Sequence, residues 1–195
     1  RVKGFQGDNT FKSPLRIDAT AKHFVGYGFA ESGLDYNVAE IGTGTLYNNV
    51  LPPFKASVDA GLKSVMTSFN TLNGIPASGD KMMLRDILKD KWGFNGFVVS
   101  DWASIREMIQ WGFSKDGTAA AKSAVEAGTD MDMEGGMYVP YLIDLVKAGK
   151  VDQKYVDDAV RRILRVKYEL GLFDNPYRFL DEKREKETIG SKANQ

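Results

Sequence analysis

Gly96-Phe97-Val98-Val99-Ser100-Asp101-Trp102 is the stretch on which the reading of this chain turns. Phe97 to Val99 form an unbroken aromatic and β-branched run, which predicts a short strand buried on both faces. The run stops at a small residue, an acid and an indole, and a helical pattern opens at once over Ala103 to Ile109. An acid where a buried strand meets the next helix lies at the C-terminal rim of a parallel sheet, the position that supplies chemistry in β/α barrels. Asp also N-caps helices. The stretch alone leaves both roles open.

Outward from this strand the same order repeats. Ile17 to Phe24 is a strand candidate ending in Lys22-His23, and a long Gly-rich loop follows through Gly26, Gly28, Gly33, Gly42 and Gly44. A helix is expected over Leu46 to Ala60, broken and restarted at Pro52-Pro53. Ser64 to Phe69 reads as a second strand. Asn73-Gly74-Ile75-Pro76 then turns toward Ser78, expected to cap a helix over Lys81 to Lys91. After Trp102 come a helix to about Trp111 and an Ala-rich one from Thr118 to Ala127 stopped by Gly128. A fourth strand is expected over Thr129 to Met133, then helices over Val139–Lys147 and Asp152–Leu170. Strand–helix alternation repeated about four times implies an α/β fold with a parallel sheet and right-handed crossovers. The fold class expected is a partial TIM-type (β/α)8 barrel of about four β/α units, a half barrel whose open edges must be covered. Residues 1–179 form that unit, and residues 180–195, dense in Lys, Glu and Arg, read as a charged linker or tail.

Composition narrows the function. Lys+Arg and Asp+Glu are equal at 26 each, so no overall charge draws the chain to nucleic acid or to an anionic membrane. No apolar run approaches the ~20 residues that span a bilayer. Cysteine is absent, which removes disulfides, thiolate catalysis and Cys-based metal sites. His23 is the only histidine, so no metal site is expected from one His and scattered acids. Gly26-x-Gly28 lacks a third glycine opening a helix, so no dinucleotide cofactor is expected either. The opening Arg-Val-Lys has no initiator Met and no signal pattern, and a processed chain or a piece of a longer one is expected.

Several strand ends bring polar or aromatic groups to one rim: Lys22-His23, Met66 to Phe69, Asp101-Trp102, and Asp130, Asp132 and Glu134. Each has a plain structural explanation: a hydrogen-bonded His, a solvated Lys, aromatics in the core, acids that cap helices or pair with Lys and Arg. Together, a Lys, a His, an Asp and an indole make a polar pocket with an aromatic wall. Such a pocket suits a sugar, whose hydroxyls meet the charged groups and whose C–H face meets the ring.

Lys22-His23-Phe24, the segment Val65 to Asn70 with Asn73-Gly74, Trp92 to Trp102, Ala127 to Met133 and Tyr168 to Tyr177 resemble, in order, the family 3 glycoside hydrolases, and most nearly their β-glucosidase group. The resemblance implies that Asp101 is the nucleophile of a retaining exo-acting enzyme on terminal β-D-glucosyl residues. It implies that Lys22 and His23 bind sugar hydroxyls and that Trp102, Met66 and Phe69 line the pocket. Many members carry Tyr where Phe69 stands, so a hydroxyl that touches the nucleophile is missing here. The acid/base of the β-glucosidase group is a Glu on a following α/β domain. The Asp-His pair used by N-acetylglucosaminidases needs a second His that this chain lacks. The acid/base is therefore expected outside the chain, with Glu134 the only rim acid that could substitute for it. The resemblance further implies an upstream barrel half, a downstream α/β domain, β-linked glucosides or oligosaccharides as partners, and a periplasmic or secreted location.

Other readings remain at this level. A β-xylosidase of the same family shares the motifs. A non-catalytic half barrel or carbohydrate-binding module would self-associate as a homo-oligomer to cover its sheet edges. An aldolase with Lys22 as a Schiff-base amine would need that amine strongly desolvated.

Overall fold

A computed structural model describes residues 1–194; the tail expected over residues 180–195 ends on a residue, Gln195, that lies outside them. Its centre is a parallel sheet of β1 (Thr20–Phe24), β2 (Ser64–Thr67) and β5 (Phe97–Val99) in the order β1-β2-β5. Thr20 stands beside Ser64, and Ser64 beside Phe97. Between β2 and β5 lies a small antiparallel hairpin, β3 (Thr71–Leu72) and β4 (Ile75–Pro76), turned by Asn73-Gly74. The expected fourth strand is reduced to a single bridge, Val99 to Met131, because Asp130 and Met131 both donate to Val98 O and the chain then turns away. This is an open arc of β/α units, the partial barrel that the alternation predicts.

Helices cover the outer face. α1 is Val2–Gln6, in a stretch whose lack of apolar period predicts only surface connection. α2 runs through residues 43–59 without the break expected at Pro52-Pro53. Those prolines open the α-wound segment Leu51–Asp59 directly after the π-wound stretch Leu46–Val50, so the winding changes at the prolines while the helix continues. α3 (Met82–Lys91) is wound with i→i+5 bonds, as in Trp92 N to Ile87 O. α4 (Ser104–Gln110), α5 (Gly117–Ala127), α6 (Tyr138–Lys147) and α7 (Gln153–Glu169) follow, the last two close to their expected limits. A short exposed helix, α8 (Glu182–Thr188), stands in the charged tail.

The main core packs Phe24, Val65, Val98 and Phe94 from the sheet side against Leu84, Leu88 and Met83 of α3 and Leu46 and Leu51 of α2. Gly96 opens β5 where a β-carbon would lie 2.0 Å from Lys63 O, so only glycine lets the two strands approach. The strongest polar tie is internal. Lys89 Nζ lies 2.6 Å from Asp130 Oδ1, with both side chains almost fully buried. Asp130 Oδ2 accepts the Val98 N–H at 2.8 Å. Burial pushes Asp130 up and Lys89 down, and each group's charge offsets the shift of the other. Asp158 also reaches Lys89, at 3.8 Å, and accepts Arg162 Nε, while Arg162 Nη1 donates to Phe94 O and Gly96 O.

Lys89→Met should therefore strand a buried carboxylate and lower the unfolding free energy by about 3–5 kcal/mol. Urea denaturation of the chain measures this, and a loss below about 1 kcal/mol would show that the pair does not hold the sheet in place.

Candidate active site

The C-terminal ends of β1, β2 and β5 meet around Asp101, which is 7% exposed. Its environment is asymmetric. Oδ1 accepts the Trp102 N–H at 2.7 Å, whereas Oδ2 is shielded and has no hydrogen-bond partner. Its nearest ionisable neighbour from β1 is His23, whose Nε2 lies 3.5 Å from Oδ2, too far for a well-formed hydrogen bond. The Asp101 N–H donates to Thr67 Oγ1 at 3.2 Å, and Ser100 Oγ donates to Asp101 O at 2.8 Å. Asp101 does not side-chain cap α4. The cap position belongs to Ala103, in the left-handed region with φ 59, whose N–H donates to Met133 O at 2.7 Å. An alanine held left-handed two residues past a buried acid is the kind of local strain that clusters at functional sites.

His23 comes from β1, where the Lys22–His23 peptide bond is cis. Burial lowers its pKa first; the Asp101 carboxylate partly reverses this, and the Lys22 charge adds to the lowering. Its ring meets Tyr27 edge-on at 4.8 Å, and Tyr27 Oη donates to Asp35 Oδ1 at 2.5 Å. That bond, more than burial, holds the Tyr27 phenol in its neutral form. Phe69 packs against Tyr36 at 4.6 Å and lies 6.2 Å from Tyr27, making an aromatic wall.

Of the residues expected at the rim, His23, Asp101, Trp102 and Phe69 are gathered here. Trp102 is 60% exposed and free to present its ring face. Met66 is half-buried on β2 between Val65 and Thr67. Lys22 is exposed and lines a separate concavity along β1 with Phe5, Asp18, Thr20 and Phe54. Its charge reaches His23, but no ion pair joins it to Asp101 among the described residues. The acids after β5 have other partners: Asp130 pairs with Lys89, and Asp132 accepts the N–H groups of Gly135 and Met137. Glu134 is exposed on a left-handed turn. Among the described residues no group of three or more His, Asp and Glu could hold a metal ion.

Glu107, Tyr27, Asp35 and Tyr36 also belong to this site, although the sequence does not single out Glu107. Its Oε2 is shielded and unpartnered, and its pKa is raised by burial first and by the Asp101 charge second. The one signal in the sequence is spacing, since Glu107 stands in the first turn of the helix that starts behind Trp102. Tyr27, Asp35 and Tyr36 come from the Gly-rich loop after β1, folded into short 3₁₀ turns at Tyr27–Phe29 and Glu31–Gly33. The arrangement offers a carboxylate with one oxygen fixed and one bare, a neutral imidazole beside it, and aromatic walls.

The sequence profile of the glycosyl hydrolase family 3 N terminal domain matches residues 1–166. A periplasmic beta-glucosidase of Salmonella typhimurium is 43% identical over 93% of this chain and 24% of its own length. A putative beta-xylosidase of Formosa agariphila is 37% identical over 93% of the chain and 24% of its own length. A beta-glucosidase from Listeria innocua, solved in complex with glucose, superposes with a TM-score of 0.93 at 39% identity, covering 98% of this chain and 26% of that one. The chain thus spans about a quarter of the length of the relatives it matches.

Because His23 is the only histidine, its titration is directly readable by proton NMR. Its midpoint should lie below the ordinary 6.5, and Asp101→Asn should lower it further by removing the carboxylate that favours imidazolium. A midpoint above 6.5, or an upward move in the variant, would contradict this electrostatic arrangement.

Proposed function

The chain belongs to the glycosyl hydrolase family 3 N terminal domain family, and from that membership we propose that it is the nucleophile-bearing part of a retaining β-glycosidase. The observation that carries the reading is the bare Asp101 Oδ2, held in place by the Trp102 N–H on Oδ1 and facing His23 at 3.5 Å. The substrate is a terminal, non-reducing β-D-glucosyl residue. Asp101 Oδ2 attacks the anomeric carbon, the glycosidic C–O bond breaks, and a glycosyl-aspartate ester forms. A second carboxyl protonates the departing oxygen, then takes a proton from water as that water cleaves the ester. His23 hydrogen-bonds sugar hydroxyls as a neutral imidazole, and Trp102 with Phe69 receives the apolar ring face. Lys22, which the resemblance also assigns to a sugar hydroxyl, lines the separate concavity along β1 and reaches this site through its charge on His23.

The name of the Salmonella relative supports glucosyl over xylosyl as the sugar and a periplasmic or secreted location, while the Formosa relative keeps xylosides as the substrate to compare. The second carboxyl comes from protein outside these 195 residues, as does the rest of the barrel. Asp130, Asp132 and Glu134 support this because each is engaged elsewhere or turned to solvent. Glu107 favours a second reading, in which it is the acid/base, because its raised pKa suits a proton donor.

In the full-length protein, Asp101→Ala should lower kcat on p-nitrophenyl β-D-glucoside by roughly 10³-fold or more. Retained turnover would remove Asp101 from the nucleophile role. Glu107→Gln separates the two acid/base readings. Turnover within about tenfold of the parent places the acid elsewhere, whereas a loss of ~10²–10⁴-fold, relieved with a 2,4-dinitrophenyl leaving group, assigns it to Glu107.

A further inference from the structure

Beneath Asp101 runs a chain of buried hydroxyls that none of the steps above uses. Thr67 Oγ1, at the end of β2, accepts the Asp101 N–H at 3.2 Å and lies 2.7 Å from Ser78 Oγ. Ser78 Oγ lies 2.6 Å from Ser104 Oγ, in the first residue of α4. Ser78 O accepts Thr129 Oγ1 at 2.8 Å, and Thr129 O accepts the Tyr138 hydroxyl at 2.6 Å. Thr67, Ser78 and Ser104 are 0, 1 and 4% exposed, so a lost hydroxyl removes a hydrogen bond from buried partners at the cost that unsatisfied buried groups carry.

The chain's two ends matter most. Asp101 N–H and Ser104 Oγ bracket the turn that carries Asp101, Trp102 and the left-handed Ala103. Both are tied, one through Thr67 and one directly, to the same side chain, Ser78. Ser78 does not cap α3 as its position predicts. Asp80 does that, accepting the Met83 N–H at 3.0 Å and leaving the serine free for this role.

We infer that Thr67 and Ser78 are positioning residues that clamp both ends of the Asp101–Ser104 turn and so aim Asp101 Oδ2 at the anomeric carbon. The inference rests on Asp101 being the nucleophile. A misplacement of about 1 Å at a reacting atom can cost 10²-fold in rate, so a clamp of this kind acts on kcat. It leaves sugar binding to other groups, among them His23 and Trp102.

The test uses the full-length protein with Thr67→Val, Ser78→Ala and the conservative Thr67→Ser. It reads kcat and KM on p-nitrophenyl β-D-glucoside and thermal midpoints. The fraction of competent sites comes from the 2,4-dinitrophenolate burst with a 2-deoxy-2-fluoro-β-D-glucoside. Thr67→Val and Ser78→Ala should each lower kcat per competent site by roughly 10–100-fold with KM little changed, and Thr67→Ser should restore it. If both variants lower only the thermal midpoint or the competent fraction, with kcat per site unchanged, the positioning role is overturned. Should Thr67→Val fail to fold, Ser78→Ala decides alone. An unsubstituted protein that turns over no β-glycoside overturns the glycosidase reading instead, a result distinct from active but insensitive variants.

Discussion

The Asp130 carboxylate is the point on which the rest of this structure depends. One oxygen takes the Lys89 ammonium and the other takes the Val98 N–H, so a single buried acid joins α3, strand β5 and the segment after α5. Isolated burial of either charge would cost several kcal/mol. Paired and hydrogen-bonded, the two charges can be met in only one register. Asp130 N and Met131 N then both donate to Val98 O, and Ser100 N donates to Met131 O, which fixes where β5 ends. Asp101 follows immediately.

From that fixed point two smaller devices set the acid. The hydroxyl chain holds the turn at both ends, and Trp102 N–H occupies one carboxylate oxygen and leaves the other bare. Burial keeps His23 inclined to neutrality beside it, while Asp35 anchors Tyr27 against the imidazole ring. The opposite edge of the sheet is less finished. Beyond β1, Asp18 Oδ1 is shielded without a partner, and burial raises this carboxyl to about 6. Phe5, Leu15 and Ile17 stand exposed nearby, as expected of an arc whose edge another part of a barrel would cover.

Strand β5 and its acid are legible in the sequence because an apolar run between Gly96 and Ser100 admits few other readings. α6 and α7 are legible from helical spacing, and the start of α7 from the capping chemistry of Asp152, whereas the Asp116 cap that starts α5 before Thr118 is not read from the sequence. What escapes the sequence is decided at long range. The fourth strand looks sufficient in Thr129 to Met133, yet Asp130 is consumed by Lys89, 41 residues earlier, and only one bridge forms. Ser78 reads as a cap because capping is local, whereas its partners lie 11 and 26 residues away. Glu107 is an ordinary helix acid by pattern; only the fold turns its oxygen inward beside Asp101. The Gly-rich loop gives no period to read, so Tyr27, Asp35 and Tyr36 become site residues only once it has folded over β1.

The most direct test is to identify the atom that becomes covalently bound to sugar. The full-length protein is incubated with 2,4-dinitrophenyl 2-deoxy-2-fluoro-β-D-glucoside, digested and mapped by mass spectrometry. The fluorosugar should be found as an ester on Asp101 within the peptide containing Ser100-Asp101-Trp102, and nowhere else. A label on another carboxylate, or turnover of an unsubstituted glucoside with inversion and no trapped ester, would contradict the assignment of Asp101 as nucleophile.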